Sequence, residues 1–212
     1  MEYSPQLASA LKQLIAKYKN KKHPLNYNSI YELTVMVILA AQTTDDLIND
    51  VTPDFFLKFP SFQKLSKATP DEVLPLLSKV RNFHNKTNWL LEIAQLVKTD
   101  DNIPKTIDEL VELKGIGRKS ANVIMREAEL IAEGIICDLH VIRVANRIGL
   151  STESKDGNKV EKQLMGILPK EIWGEVGMAL SFLGRETCRP TNPKHDECLL
   201  NKVCEYCKQH QN

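Results

Sequence analysis

Glycine is missing from the first 114 residues of this 212-residue chain, and all nine glycines lie at or after Gly115. A glycine-rich phosphate loop of the nucleotide-binding kinds is therefore excluded from that half. Tight two-residue hairpins also want glycine, which argues against a meandering β-fold. Long apolar runs are lacking too. The longest, Val35 to Ala41, has seven residues, far short of the ~20 that a membrane-spanning helix needs. The opening stretch MEYSPQLASALKQLIAKYKN holds no long apolar segment of the secretory kind. The expected location is thus cytoplasmic or nuclear, and nucleoid-associated in a bacterium. No charge sign dominates: Lys and Arg number 28 against 27 Asp and Glu, a net +1. Bulk charge then says nothing about nucleic acid, and any positive face must be local. One local excess exists, Lys12, Lys17, Lys19, Lys21 and Lys22 against Glu2. It reads either as a solvated helix face or as a stripe for phosphates. With 42% hydrophobic and 26% charged residues, the chain can bury a core without covalent staples.

What is present is helical periodicity nearly throughout. Leu7, Leu11, Leu14, Ile15 and Tyr18 form one stripe, so the N-terminus reads as an amphipathic helix. Ser29 with Glu32 is a capping box opening a hydrophobic helix to about Ala41. Thr69-Pro70-Asp71-Glu72 repeats the device with proline at the first helical position, and Thr106 with Glu109 does so again. Trp89, Leu90, Ile93, Ala94 and Val97 make another helix face, and 158–168 and 172–183 are further helical stretches. The expected class is all-α, without repeats or low-complexity linkers.

Residues 107–131 read IDELVELKGIGRKSANVIMREAELI, a helix, a tight Gly115-Ile116-Gly117 connector and a second helix. Two glycines two apart let the backbone turn sharply and approach a ligand. The amides opening the second helix suit a phosphate. Taken alone, this is also what a plain αα-hairpin looks like. The wider pattern, Leu113-x-Gly115-x-Gly117-x-x-x-Ala121, is a helix-hairpin-helix, which grips DNA backbone without reading sequence. Lys119 falls in the first turn of the second helix beside Arg118. The positive helix end and the guanidinium both disfavour a charged ammonium, as an amine nucleophile requires. A lysine there also suits simple pairing with phosphate. Downstream, Asp138 precedes an amphipathic helix as a candidate N-cap able to keep one oxygen free. His140 in that helix's first turn reads as structural or phosphate-facing.

Four of the five cysteines fall in the last 25 residues, as Cys188, Cys198, Cys204 and Cys207. In a reducing compartment this spacing argues for metal rather than disulfides. Four thiolates can hold Zn²⁺ or a [4Fe–4S] cluster. Cys137 stands apart and reads as a buried structural thiol.

These segments together resemble the endonuclease III family of DNA base-excision glycosylases. The carriers are Ala40-Ala41-Gln42-Thr43-Thr44-Asp45, Leu113 to Asn122, Asp138-Leu139-His140 with Arg143, Asn146 and Arg147, and Gly184-Arg185-Glu186-Thr187-Cys188. The resemblance covers about residues 25 to 206. It implies two helical domains, 24–133 and 1–23 joined to 134–212, with a cleft holding Lys119 and Asp138 on facing walls. It implies an enzyme on damaged or abasic duplex DNA that flips a nucleotide out of the stack and removes oxidised pyrimidines; a monomer is expected, because two stacked domains already bury the apolar helix faces. Lys119 would attack C1′ of the sugar, and Asp138 would stabilise the developing positive charge. The strand would be nicked 3′ to the site by β-elimination. Gln42, Asn82, Gly115, Gly117, Arg118, Ser120, His140 and Arg143 would contact DNA. The resemblance favours an iron–sulfur cluster over zinc. The family's usual spacing is C-x6-C-x2-C-x5-C, whose second place falls here on His195, while Cys207 is extra. Either Cys207 supplies the fourth thiolate, as we expect, or His195 binds one iron, or the site is degraded. Asn82 stands where the family inserts an apolar wedge, with Phe83 beside it, and Lys114 replaces a common proline. The substitutions leave open the same chemistry on another lesion. A non-catalytic DNA-binding module is the alternative from a different class.

Overall fold

The computed structural model describes residues 2–153 and 155–210, and among these no β-strand occurs. The chain is all-α. It divides into two compact units, Lys22–Leu130 and a second that joins Met1–Lys21 to Ile131–Asn212.

The unit 22–130 is built from α2 (Ile30–Leu39), α3 (Asp45–Lys58), α4 (Phe62–Leu65), α5 (Pro70–Leu77), α6 (Phe83–Val97), α7 (Ile107–Val111) and α8 (Arg118–Glu127). Helix α2 is its core: every residue from Leu33 to Leu39 is buried, and α6 and α8 pack against it. That helix is apolar all round because it has no solvent face to serve. Its expected capping box is modified. Ser29 Oγ accepts the Glu32 N–H at 3.1 Å, but the Glu32 carboxylate reaches past Ser29 to the Asn28 N–H at 2.7 Å. At Thr69 the N–H and the hydroxyl both donate to Glu72 Oε2, at 2.9 and 3.2 Å, while the Glu72 N–H donates to the Thr69 carbonyl at 3.1 Å. Thr106 caps α7 by accepting the Glu109 N–H. Helix α3 is less visible in the sequence, because Pro53 lies inside it and removes one rung of its hydrogen-bond ladder.

The other unit comprises α1 (Pro5–Tyr18), α9 (Leu139–Ile148), α10 (Gly157–Ile167), α11 (Trp173–Glu186) and α12 (Glu205–Gln209). Helix α11 is the buried centre, with Val176 to Gly184 all inside, and α9 and α1 pack on it. The stripe read for α1 is buried at Leu7, Leu11, Leu14 and Tyr18, with Ile15 half-buried. Of the N-terminal lysines, Lys21 pairs with Glu186 and lies over the Phe182 ring. Lys12, Lys17, Lys19 and Lys22 remain exposed. No helix among the described residues is long and apolar enough to cross a membrane.

Candidate active site and DNA interface

The Gly115–Gly117 connector is shaped by two different demands. Gly115 has φ +86°, and a Cβ there would stand 2.8 Å from Cε3 of Trp89 on α6. Glycine is needed at that point for both conformation and space. Gly117, the N-cap of α8, has ordinary extended backbone, and among the described residues nothing beyond its chain neighbours and its own helix lies within 4 Å of where its Cβ would be. Its bareness leaves open the end of a helix whose first-turn N–H groups its own ladder does not use. Leu113 and Ile116, each 4% exposed, anchor the turn from below. Lys114 forms an exposed ion pair with Glu92 of α6 at 2.6 Å.

Lys119 lies exposed in the first turn of α8, with Arg118 and Ser120 half-buried on either side. Its charge is felt by His23, a residue the sequence reading passed over. Burial is the largest influence on His23 and pushes its pKa down to about 4. Glu127 and Asp45 act upward, while Lys119 and Arg126 act downward. His23 Nδ1 accepts the Leu25 N–H at 3.1 Å, so the ring is a neutral, fixed element near neutral pH. Glu127 is itself engaged, by the Tyr27 hydroxyl and by Arg126. No sequence motif announces this cluster, whose charged members lie 22 to 104 residues from His23.

Gln42 and Asn82 are both exposed and both hold φ of +58°, a region that non-glycine residues rarely enter. They follow and precede the helices α2 and α6, respectively. Between them sits Lys86, only 2% exposed. Its ammonium donates to the carbonyls of Leu39 and Ala41, each at 2.7 Å, and lies 3.4 Å from Thr43 Oγ1. Burial, with a smaller push from Arg81, lowers its pKa from the usual lysine value. Asn82 Oδ1 accepts from Asn85 at 3.1 Å. The Phe83 ring, a candidate for insertion, lies against His84 with centroids 4.1 Å apart.

In the other unit, Asp138 is the N-cap of α9, and its Oδ1 accepts the Val141 N–H at 2.8 Å. The second oxygen, expected to be free, accepts the Ser181 hydroxyl of α11 at 2.6 Å. Arg185 Nη2 stands 4.0 Å from the same oxygen. The carboxylate is thus oriented from two helices at once. Arg143, expected at DNA, turns its guanidinium inward. It donates to the carbonyls of Cys188 and Gly184, at 3.1 and 2.8 Å, and to His140 Nδ1 at 3.2 Å. Arginine has no acceptor, so that ring nitrogen of His140 receives the hydrogen bond. These contacts tie α9 to the end of α11 and to the start of the cysteine segment. Lys119 belongs to the unit 22–130, and Asp138 to the other.

The four late cysteines line one small pocket with His195, Arg147, Lys194 and Tyr206. Among the described residues, no Asp or Glu lines it. Burial pushes the Cys198 thiol up to about 11. An N–H from Leu200 opposes this, and the sulfurs of Cys188, Cys204 and Cys207 add to it. Thiolates gathered round one pocket need a cationic centre among them to be stable together. Among the described residues, no three or more His, Cys, Asp or Glu side chains already stand as a closed set for a single ion. The donor chemistry nevertheless fits a thiolate-held cluster: four sulfurs round one pocket and two cations to balance them. Arg147 supports the segment, donating to the carbonyls of Arg189 and Pro190 at 2.6 and 2.9 Å and to Cys188 Sγ at 3.4 Å. Its guanidinium covers the Tyr206 ring. Cys207 is 1% exposed, while His195 is half-buried and stacks on Tyr206. Cys137 is buried well away from water, and its thiol is pushed up by burial, as suits an inert structural residue.

Known proteins place these features in one family. The profile of the HhH-GPD superfamily base excision DNA repair proteins matches residues 35–170. The chain is 34% identical to endonuclease III of Bacillus subtilis over 182 residues, which are 85% of this chain and 83% of that protein. It is 32% identical to endonuclease III of Synechocystis sp., again with 85% and 83% of the two chains covered. Its fold superposes on a trapped endonuclease III–DNA covalent intermediate with a TM-score of 0.85, 29% identity and all of both chains covered. A thermostable thymine-DNA glycosylase shares the fold at a TM-score of 0.81 with 17% identity, covering 96% of this chain and 97% of that one. The chain belongs to the HhH-GPD superfamily of base excision DNA repair proteins and, within it, to the endonuclease III family.

Proposed function

We propose that the protein is a bifunctional DNA glycosylase and abasic-site lyase of base excision repair that removes oxidised pyrimidines. The observation that carries this reading is Lys119, an exposed amine one residue inside a helix whose N-cap is the bare Gly117, in a chain of the endonuclease III family. The trapped covalent DNA intermediate of the structural relative supports a covalent route.

In this reading the neutral Lys119 amine bonds to C1′ of the flipped nucleotide. The C1′–N bond to the base breaks, and the base leaves with the electron pair and takes up a proton. The sugar ring opens to a Schiff base. Loss of a proton from C2′ then breaks the C3′–O bond, nicking the strand 3′ to the site. Water releases Lys119. Asp138, held by the Val141 N–H and the Ser181 hydroxyl, supplies fixed negative charge for the cationic sugar. A preoriented charge of this kind costs no reorganisation during reaction. The Gly115–Gly117 turn, Arg118 and Ser120 take phosphate, while Gln42 and Asn82 contact bases. Arg143 and His140 act through their mutual contact, setting the α9–α11 joint rather than reaching out. The partner is damaged or abasic duplex DNA, bound by a monomer in the cytoplasm, on the nucleoid in a bacterium.

A [4Fe–4S] cluster, held by Cys188, Cys198, Cys204 and Cys207, would cross-link the C-terminal segment. Cys207 is favoured over His195 because its sulfur is buried in the same pocket while the imidazole stacks on Tyr206. Asn82 favours a second reading for the lesion alone: a polar amide at a wedge position suits hydrogen bonding to the orphaned base, and hence a mismatched or alkylated partner.

The test uses duplexes bearing thymine glycol or an abasic site, borohydride to reduce any Schiff base, and Lys119→Gln in parallel. Adducts on both duplexes, lost in the variant, are expected. An adduct on the abasic duplex alone moves the lesion to the second reading. No adduct from folded, metal-loaded protein overturns the nucleophile and leaves a DNA-binding module.

A further inference from the structure

We propose that Lys86 is a positioning residue for DNA engagement, its buried ammonium fixing as one body the two turns that present Gln42 and Asn82. The inference rests on the reading above that those two residues touch bases. Four observations carry it. The Lys86 amine holds the last carbonyl of α2 at Leu39, the Ala41 carbonyl in the turn after it and the Thr43 side chain, bracketing Gln42. Its own main-chain N–H donates at 3.2 Å to the carbonyl of Asn82. Gln42 and Asn82 are two of five non-glycine residues at positive φ among the described residues, so both turns hold a conformation that the surroundings must enforce. Finally, the ammonium is buried. Capping a helix C-terminus is ordinarily done by glycine or by an exposed lysine at little cost. Burying a charge for the purpose is expensive and is understandable where the geometry of the capped turn matters.

Holding both turns on one side chain means that the gap-filling residues enter DNA together and without reordering. The consequence is confined to steps that need the complementary strand. An abasic site in single-stranded DNA has no base to flip and no gap to fill, so its cleavage is a control within the same protein.

The experiment compares single-turnover base removal from a thymine glycol duplex with β-elimination at a single-stranded abasic site. Full-length protein is used, with rates normalised to the borohydride-trapped fraction. Lys86→Met is expected to lose about tenfold on the duplex, as modest misplacement does, with less than about twofold lost on the single strand. Lys86→Arg keeps the charge but not the compact three-donor head, and is expected to lose an intermediate amount on the duplex only. Gln42→Ala is expected to lose a similar factor, and Lys86→Met with Gln42→Ala no more than either alone, because coupled residues are not additive. Equal losses on both substrates, or multiplying losses in the double variant, overturn the proposal. Should Lys86→Met not fold, Lys86→Arg decides by the same ratio. If Gln42→Ala and Asn82→Ala leave duplex excision intact while Lys119→Gln abolishes it, the reading of those residues as DNA contacts fails and takes the Lys86 proposal with it. If they lower it and neither Lys86 variant does, only the role of Lys86 falls.

Discussion

Gly115 and Gly117 are two residues apart in one turn, yet alanine should fail at them for unrelated reasons. At Gly115 the backbone is left-handed, with φ +86°, which costs an L-residue about 1–2 kcal/mol. The added methyl would also stand 2.8 Å from the Trp89 ring, an overlap whose relief costs about 1–3 kcal/mol in a packed setting. Gly115→Ala should therefore lose about 2–5 kcal/mol and, at ~2–4 °C per kcal/mol for a chain this long, lower Tm by roughly 4–20 °C. At Gly117 the backbone is extended and, among the described residues, nothing beyond its chain neighbours and its own helix lies within 4 Å of the new methyl, so Gly117→Ala should change stability by less than about 1 kcal/mol. The open space is where a phosphate would approach, so the same variant should weaken duplex binding about tenfold, roughly 1.4 kcal/mol. Thermal melts and fluorescence anisotropy on an abasic-analogue duplex read the two quantities. Trp89→Leu in the Gly115→Ala background should recover the steric part alone. The reasoning is refuted if Gly117→Ala melts as early as Gly115→Ala, or if Gly117→Ala binds DNA as wild type does.

Three further outcomes are expected. Asp138→Asn keeps a good N-cap for α9 and should stay within about 1 kcal/mol of wild-type stability while losing excision, whereas Asp138→Ala should lose both; urea melts beside single-turnover rates separate them, and an active Asp138→Asn would remove the carboxylate from the chemistry. His23 titrates near 4 in the folded chain against 6.5 unfolded, so the unfolded state binds the extra proton: stability is full above 6.5 and is lost as pH falls toward 4. Urea unfolding should show about 2 kcal/mol lost between roughly pH 7 and pH 5, an increment absent in His23→Gln; equal losses in both proteins would refute the assignment. Cys207→Ser should abolish bound iron and its visible absorbance, and His195→Ala should leave both, as measured by iron and sulfide content after anaerobic reconstitution; the reverse pattern makes His195 the ligand.

The residues legible in the sequence are those whose chemistry is local. Helix stripes, the capping residues Ser29, Thr69 and Thr106, the glycine pair and the four late cysteines all signal through spacings of a few residues, and each is found where its spacing put it. Those that stayed hidden are joined through contacts that no short pattern records. Lys86 reads as one charged residue on an amphipathic helix, yet its amine bonds lie 43 to 47 residues away. Ser181 is a small polar residue inside an apolar helix, and its target Asp138 is 43 residues distant. Arg143 shows a second kind of hidden contact. A basic residue in a DNA-repair chain invites assignment to phosphate, and here three hydrogen bonds within its own unit, from Nε and Nη2, also engage the guanidinium in tying α9 to the end of α11. Charge on the sequence thus gives the number of candidate DNA contacts, and burial decides among them. A lysine or arginine whose donors are already satisfied by carbonyls contributes to affinity only by placing others, so its removal should change the catalytic rate on duplex more than the salt dependence of binding, which counts phosphate contacts.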